Sequence, residues 1–523
     1  MLFPIDSLNN DTIVAMKNAK INYYSINGPV NLIATQTLKS FYNDTILKNG
    51  FWGDPKILYD TDSNKYVLCY EQWKDTTISG IAKRFSCLYV FASKTSNPMD
   101  GWIGVRIPED SVGHDSLWID RPNIGMSQKE IFVCANLHKD GGGHKKLMSI
   151  ALTKQELYSW TLPVIIRKFS ITDPNASNTG YMKNTFPISW GPEGNYGPGI
   201  YLMRTNLGGS GSGVFDSLWV FNITDDISSG NDSIIRQAFK VSYSYFPFGL
   251  HQQGSSIKMN PGLTMLQDAF YYNGIIHYVY TKRHTDTLIN SQISYNRLDL
   301  NTNINIEKSY FGSNYGAAYP SLSYFATSLN KKSVLLSFLT SGKTTYPSFR
   351  CIAIDDTLGL SNELMIRQGD TYLTTGGQNW GDYTGAVRKH NAILPTSWVY
   401  GTYTSLGGFS GTYRWNYSFL AEIIQIGIAN SISLLPLNQD IVSVYPNPTN
   451  DKLFVDISKA VSENVEIELY DLQGKLTKVI SVNYPFMALK EGIDTKNMSK
   501  GVYLLAVKTK TKKLIGYEKV VLY

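Results

Sequence analysis

The 523-residue chain has little of several things, and each shortage removes a class of protein. It has only four cysteines, Cys69, Cys87, Cys134 and Cys351, and none are spaced C-x-x-C. That excludes zinc ribbons and thioredoxin-like redox sites. It has no apolar run of about eighteen residues, so no helix is expected to cross a membrane. Charged residues are 17%, and the net charge of +6 is thinly spread, with no dense Lys/Arg block before residue 500. A nucleic-acid reader concentrates its basic residues on one face, so no nucleic-acid partner is expected. There is no Gly-x-Ser-x-Gly elbow, no His-Glu-x-x-His and no phosphate loop. The Ser-x-Asp-x-Gly-x-x-Trp repeat of sialidases is missing as well. Residues 1–20 lack a basic segment followed by an apolar one, so they do not read as a secretory leader.

What is present points to strands. Hydrophobic residues make up 43% and aromatics 13%, with 35 Tyr, 43 Gly and 20 Pro. This apolar content suits a large core and excludes a disordered chain. The mixture favours many short strands and tight turns over helices.

One pattern recurs along the body. A turn bearing Pro or Asp leads into a strand, then a turn, then an aromatic-rich strand. The first strands begin near Asp54-Pro55, Asp120-Arg121-Pro122, Thr185-Phe186-Pro187, Gln267-Asp268, Tyr319-Pro320 and Gly381-Asp382. In the fourth unit Asn273-Gly274 is a strong hairpin signal. Starts recur at roughly 60 to 80 residues, the scale of a four-stranded propeller blade. Six units are legible. A seventh is expected to combine Lys20–Thr37 with Arg414–Ile424. The predicted fold is all-β, a six- or seven-bladed propeller over 1–425. A connector at 426–440 and a small antiparallel β-sandwich at 441–523 follow. The rival architecture, a row of sandwiches, would need linkers that are not seen before Ile423.

The last segment carries the most specific motifs. They are Tyr445-Pro446-Asn447-Pro448, the turn from Leu469 to Lys475, Met498-Ser499-Lys500-Gly501-Val502-Tyr503, and Lys519-Val520-Val521-Leu522. Together these closely resemble the type A C-terminal sorting domain of the type IX secretion system of Bacteroidetes. The resemblance implies export across the outer membrane and a partnership with that machinery. Cleavage of the domain then releases the body or leaves it attached to the surface. Since that route begins with a Sec signal, an upstream start is expected. The body, from about Trp52 to Tyr403, resembles extracellular bacterial propellers that precede such domains.

The candidate site follows from the blade pattern. Asp54, Asp120, Arg121, Asp268 and Asp382 all stand where first strands begin, and in a propeller these positions converge at the channel mouth. Such a ring can bind a ligand or a cation, or simply solvate the mouth. The first reading is a glycan- or protein-binding module without catalysis. The alternative comes from Asp-Pro-x-apolar at the first unit, which resembles five-bladed glycoside hydrolases. That resemblance implies Asp54 as base and Asp120 as orienting carboxylate, with Glu193 as an unmarked acid. Asp54 also reads as a turn residue capping backbone N–H groups. Trp118, Trp160, Trp190, Tyr196 and Trp380 are candidate sugar-stacking rings, with core packing as the default. His138 and His144 flank a glycine loop that lacks a marked third metal ligand. No cofactor and no metal are expected. Cys69 and Cys87 fall on neighbouring strands, where a disulfide and simple burial are both open.

Overall fold

The computed structural model describes residues 2–3, 12–17, 20–26, 31–41, 47, 50–109, 117–139, 144–159, 163–171, 185–189, 197–206, 214–245, 248–262, 266–287, 289–326, 331–374, 380–382, 384–390, 392, 394–406, 415–425, 433–434, 442–457, 464–471, 475–483, 492–510 and 514–523. The fold is nearly all β. Seven four-stranded antiparallel sheets follow one another along the body, each running straight up and down in chain order. Sheet I holds Leu2–Phe3, Thr12–Lys17, Lys20–Ser25 and Asn31–Thr37. Sheets II to VII begin with Phe51–Asp60, Leu117–Met126, Phe186–Ile188, Leu266–Tyr272, Gly316–Tyr324 and Gly385–Arg388.

The first strand of each sheet packs against the first strand of the next, and that of sheet I touches those of both II and VII. Each neighbouring pair traps its own apolar layer. Val67, Cys69 and Val90 of sheet II meet Ile131, Val133 and Ile150 of sheet III. Tyr66, Tyr70 and Tyr89 of sheet II share a layer with Ile13 and Tyr23 of sheet I and Trp398 and Tyr400 of sheet VII. Because both faces of a sheet are covered, its middle strands read as unbroken buried runs. Val334–Gly342 is buried at every residue. The outer strand Ile304–Tyr310 has exposed isoleucines at 304 and 306. Asn273 and Gly274 both have positive φ, 49° and 81°, and join Tyr272 to Ile275 in the expected two-residue hairpin.

One expectation is corrected. Lys20–Thr37 does not share a sheet with Arg414–Ile424. The N-terminal strands form a complete sheet of their own, and Trp415–Ile424 is the third strand of sheet VII, with Ser433–Leu434 as its fourth. The apolar runs were visible, but the short Leu2–Phe3 strand that completes sheet I carries no pattern. Of the two readings open for Cys69 and Cys87, burial is the one observed, and all four cysteines are free and buried. Cys69 lies opposite Val90, and Cys87 lies opposite Gln72. They point to different layers, Cys69 toward sheet III and Cys87 toward sheet I. Burial pushes the Cys69 and Cys134 thiols up to about 12, so they stay protonated and unreactive.

The C-terminal segment has two facing sheets. One is Val442–Tyr445, Lys452–Ile457 and Ile493–Asp494, and the other is Leu476–Val482, Val465–Tyr470, Gly501–Thr509 and Leu514–Leu522. Leu453, Val455, Ile467, Leu505, Val507 and Val520 fill the space between them.

Candidate functional site

Three first strands carry the same defect. The ladder skips between Gly53 and Lys56 in sheet II, at Arg121-Pro122 in sheet III and at Tyr319-Pro320 in sheet VI. In each case a residue before proline has positive φ: Asp54 at 45°, Arg121 at 52° and Tyr319 at 51°. Proline has no N–H to leave unpaired, so it suits a bulge. Side chains in this backbone region are strained by about 1–3 kcal/mol each, and such strain gathers at functional places. Asp54 and Arg121 both act electrostatically on Glu71 and Asp382, and Arg121 also acts on Tyr319, so the bulged residues stand near one another.

The result is a tight acidic group. One carboxylate oxygen each from Asp54, Glu71 and Asp120 lies within 4.8 Å of the others. Asp54 and Asp120 are partly exposed, while Glu71 is only 3% exposed. Glu71 sits opposite Gly53 on the second strand of sheet II. The Arg121 backbone N–H, released from its ladder by the bulge, donates to the Glu71 carboxylate. Glu71 Oε2 has no hydrogen-bond partner among the described residues. Burial first, then the charges of Asp54 and Asp120, hold this carboxyl well above its ordinary range, and Arg121 opposes them.

The surroundings fix the partners. His138 Nε2 meets Asp120 Oδ2 at 3.0 Å. Its ring stacks on Trp118 at 4.8 Å, and the Arg84 guanidinium lies 4.5 Å from the Trp118 centroid. Asp382 is raised by burial, with Arg121, Asp54 and Lys56 all close enough to act on it. Asp268 has a different setting. Its Oδ2 accepts from the Ser321 hydroxyl and from Leu322 N at 2.9 Å, and its Oδ1 accepts from Ala269 N at 2.9 Å. Ser321 Oγ in turn accepts from Ala386 N at 2.9 Å. Asp268 therefore ties sheets V, VI and VII together. The first strands of sheets II to VII line a cavity of about 150 Å³, mostly apolar, with Lys56, Asp268 and Arg388 in its wall.

The structure thus brings Asp54, Asp120 and Arg121 together, with Asp382 in electrostatic reach. Asp268 is a strut between sheets. Of the aromatic candidates, Trp380 is 2% exposed, donating through Nε1 to Asn260 O at 2.6 Å. It packs as core. Trp118 keeps partial exposure at the edge of the acidic group. Glu193, Trp160, Trp190 and Tyr196 lie outside the described residues, as does the loop 140–143. Sequence reasoning missed Glu71 and the approach of His138 to Asp120. Glu71-Gln72 is a polar pair inside the otherwise apolar and aromatic run Tyr66–Trp73, and that interruption was the available signal.

Residues 443–522 match a family described as a secretion system C-terminal sorting domain. This segment is a type IX sorting domain. The sorting domain implies delivery to the cell surface or the extracellular space, and engagement of the type IX machinery. No helix among the described residues is long and apolar enough to cross a membrane. No curated protein sequence matches the chain. Among solved structures, a thermostable family-43 glycoside hydrolase aligns at 9% identity over 60% of this chain and 92% of its own, with a TM-score of 0.31. A Bombyx mori GH32 β-fructofuranosidase aligns at 9% identity over 90% and 86%, with a TM-score of 0.31. A Synechocystis apocarotenoid oxygenase aligns at 10% identity over 68% of each chain, with a TM-score of 0.37. Resemblance this faint carries no chemistry across to the body that precedes the sorting domain.

Proposed function

We propose that the seven sheets close into one propeller ring. We further propose that the exported body binds an extracellular carbohydrate at the mouth formed by Asp54, Asp120 and Arg121. The observation that carries this reading is the meeting of carboxylates from two successive sheets within 4.8 Å, beside Arg121 and the partly exposed Trp118. Vicinal hydroxyls suit carboxylate and guanidinium partners, and an indole face suits the apolar side of a sugar ring. Asp382 extends the same mouth from the loop before sheet VII.

A hydrolytic reading has one observation in its favour. Glu71 holds its proton above the usual range, as a general acid must. Against it, Glu71 is almost fully buried beneath the mouth, away from a substrate, and the spacing excludes the inverting arrangement of about 6.5–9.5 Å, leaving only a retaining one of about 5–5.5 Å. Binding without cleavage is the better fit. The test is a glycan and polysaccharide panel on the full chain and on Asp54→Asn, read for both binding and new reducing ends. Binding without release, weakened in the variant, is expected. Release abolished by Asp54→Asn would replace the binding reading with hydrolysis. No binding to any glycan would overturn the carbohydrate assignment.

A further inference from the structure

We propose that Asp54, Glu71 and Asp120 form a site for a hard divalent cation, with calcium as the ion that fits best. The argument begins with Glu71. Its side chain is buried, its Oε2 has no hydrogen-bond partner among the described residues, and one of its carboxylate oxygens lies in the group with the Asp54 and Asp120 oxygens. A buried carboxylate oxygen without a donor is costly unless a proton or a cation meets it. The Arg121 guanidinium acts on Glu71 and also on Asp382, so its charge is divided between them.

The donor set selects the ion. All three ligands are carboxylate oxygens, which suit hard cations and not copper or iron–sulfur chemistry. Oxygens that share one ion are separated by at most twice the metal–oxygen distance. For calcium, at about 2.3–2.6 Å, the limit is roughly 5 Å, and for magnesium, at about 2.0–2.1 Å, it is roughly 4 Å. The three oxygens lie within 4.8 Å of one another, inside the calcium limit, and calcium's flexible coordination accepts ligands whose places are set by strand register. His138 stands behind the group, its Nε2 3.0 Å from Asp120 Oδ2. Two ligands come from sheet II and one from sheet III, so an ion here also bridges neighbouring sheets.

This deepens the carbohydrate reading, on which only its last step rests. Calcium takes six to eight oxygens, and three carboxylates leave positions that sugar hydroxyls can fill from the partly exposed side. The expectation that the chain needs no metal is thereby revised.

The experiment uses the full chain freed of metal with a chelator, titrated with calcium chloride alone by calorimetry and followed by thermal melting. One calcium per chain and a raised Tm are expected. Glu71→Gln and Asp54→Asn should each weaken binding at least tenfold. In chelator at pH 8, Glu71→Gln should melt higher than the natural chain, because a glutamine there has no charge to bury. No heat and no Tm shift up to 10 mM calcium would overturn the site, and so would an affinity unchanged in both variants. The glycan panel, repeated with and without chelator, separates the two proposals. Calcium binding with no glycan signal keeps the metal site and removes the carbohydrate. Glycan binding that survives chelation removes calcium from recognition.

Discussion

Glu71 sets opposing demands on a single residue. Its backbone must continue a central strand, and its side chain must lie between two other carboxylates. Burial and the Asp54 and Asp120 charges raise its pKa from the ordinary 4.5. In metal-free protein the folded chain therefore keeps a proton that the unfolded chain has lost. Folding is penalised as pH rises from about 4.5 toward the folded value, and the penalty is absent below 4.5. Glu71→Gln removes it. Melting curves in chelator should show the variant and the natural chain converging near pH 4.5, with the variant higher at pH 8. A gap that does not change with pH would mean that Glu71 is already neutralised by Arg121. The mouth was half legible at this scale. Asp54, Asp120 and Arg121 announce themselves because bulges before proline leave a mark in the sequence. Glu71 leaves none, because proximity across strands depends on register.

At the scale of elements, the sheets are held by close backbone approach and by a few buried polar ties. Gly125 illustrates the first. A Cβ there would lie 2.8 Å from Pro187 Cβ and 2.9 Å from its carbonyl carbon and oxygen. The first strands of sheets III and IV approach this closely only because Gly125 lacks a side chain. Gly125→Ala should destabilise the body by about 1–3 kcal/mol, as overpacking does, read from a urea midpoint. Lys154 and Asp60 illustrate the second. They pair at 3.0 Å with side chains 7% and 0% exposed, and Tyr158 OH donates to the same carboxylate at 2.8 Å. The pair fastens the short helix Lys154–Tyr158 after sheet III's third strand to sheet II. Lys154→Met leaves a buried carboxylate without its cation and should cost about 3–5 kcal/mol. Adding Asp60→Asn should recover part of that loss. A double variant no more stable than Lys154→Met alone would show that the lysine acts through packing. The hairpins were legible because turn residues and buried runs are local. These ties were not, since each joins residues separated by dozens of positions.

For the whole molecule, the central question is whether the row of sheets is a ring or an open stack. A stack would end in two bare faces. Here sheet I covers both candidates: Tyr66, Leu68 and Tyr70 on sheet II, and Trp398, Tyr400 and Leu420 on sheet VII, all share one apolar layer with Ile13, Val14 and Ile21. A closed ring is cooperative, because removing one blade uncovers two faces and leaves the gap unfilled. Deleting residues 1–50 should therefore abolish the cooperative melting of the body and provoke aggregation. The sorting domain behaves differently, since its own core lies between its two sheets. Among the described residues it meets the body in a small patch of Leu394 and Ile424 against Tyr470 and Ala506, and Tyr517 OH donates to Glu422 Oε2 at 3.4 Å. Deleting residues 441–523 should shift the body's Tm by only a few degrees while abolishing export, measured by calorimetry and by cell fractionation. If the body kept its transition after loss of residues 1–50, the sheets would be an open stack. The mouth would then be one interface between sheets II and III instead of the opening of a channel.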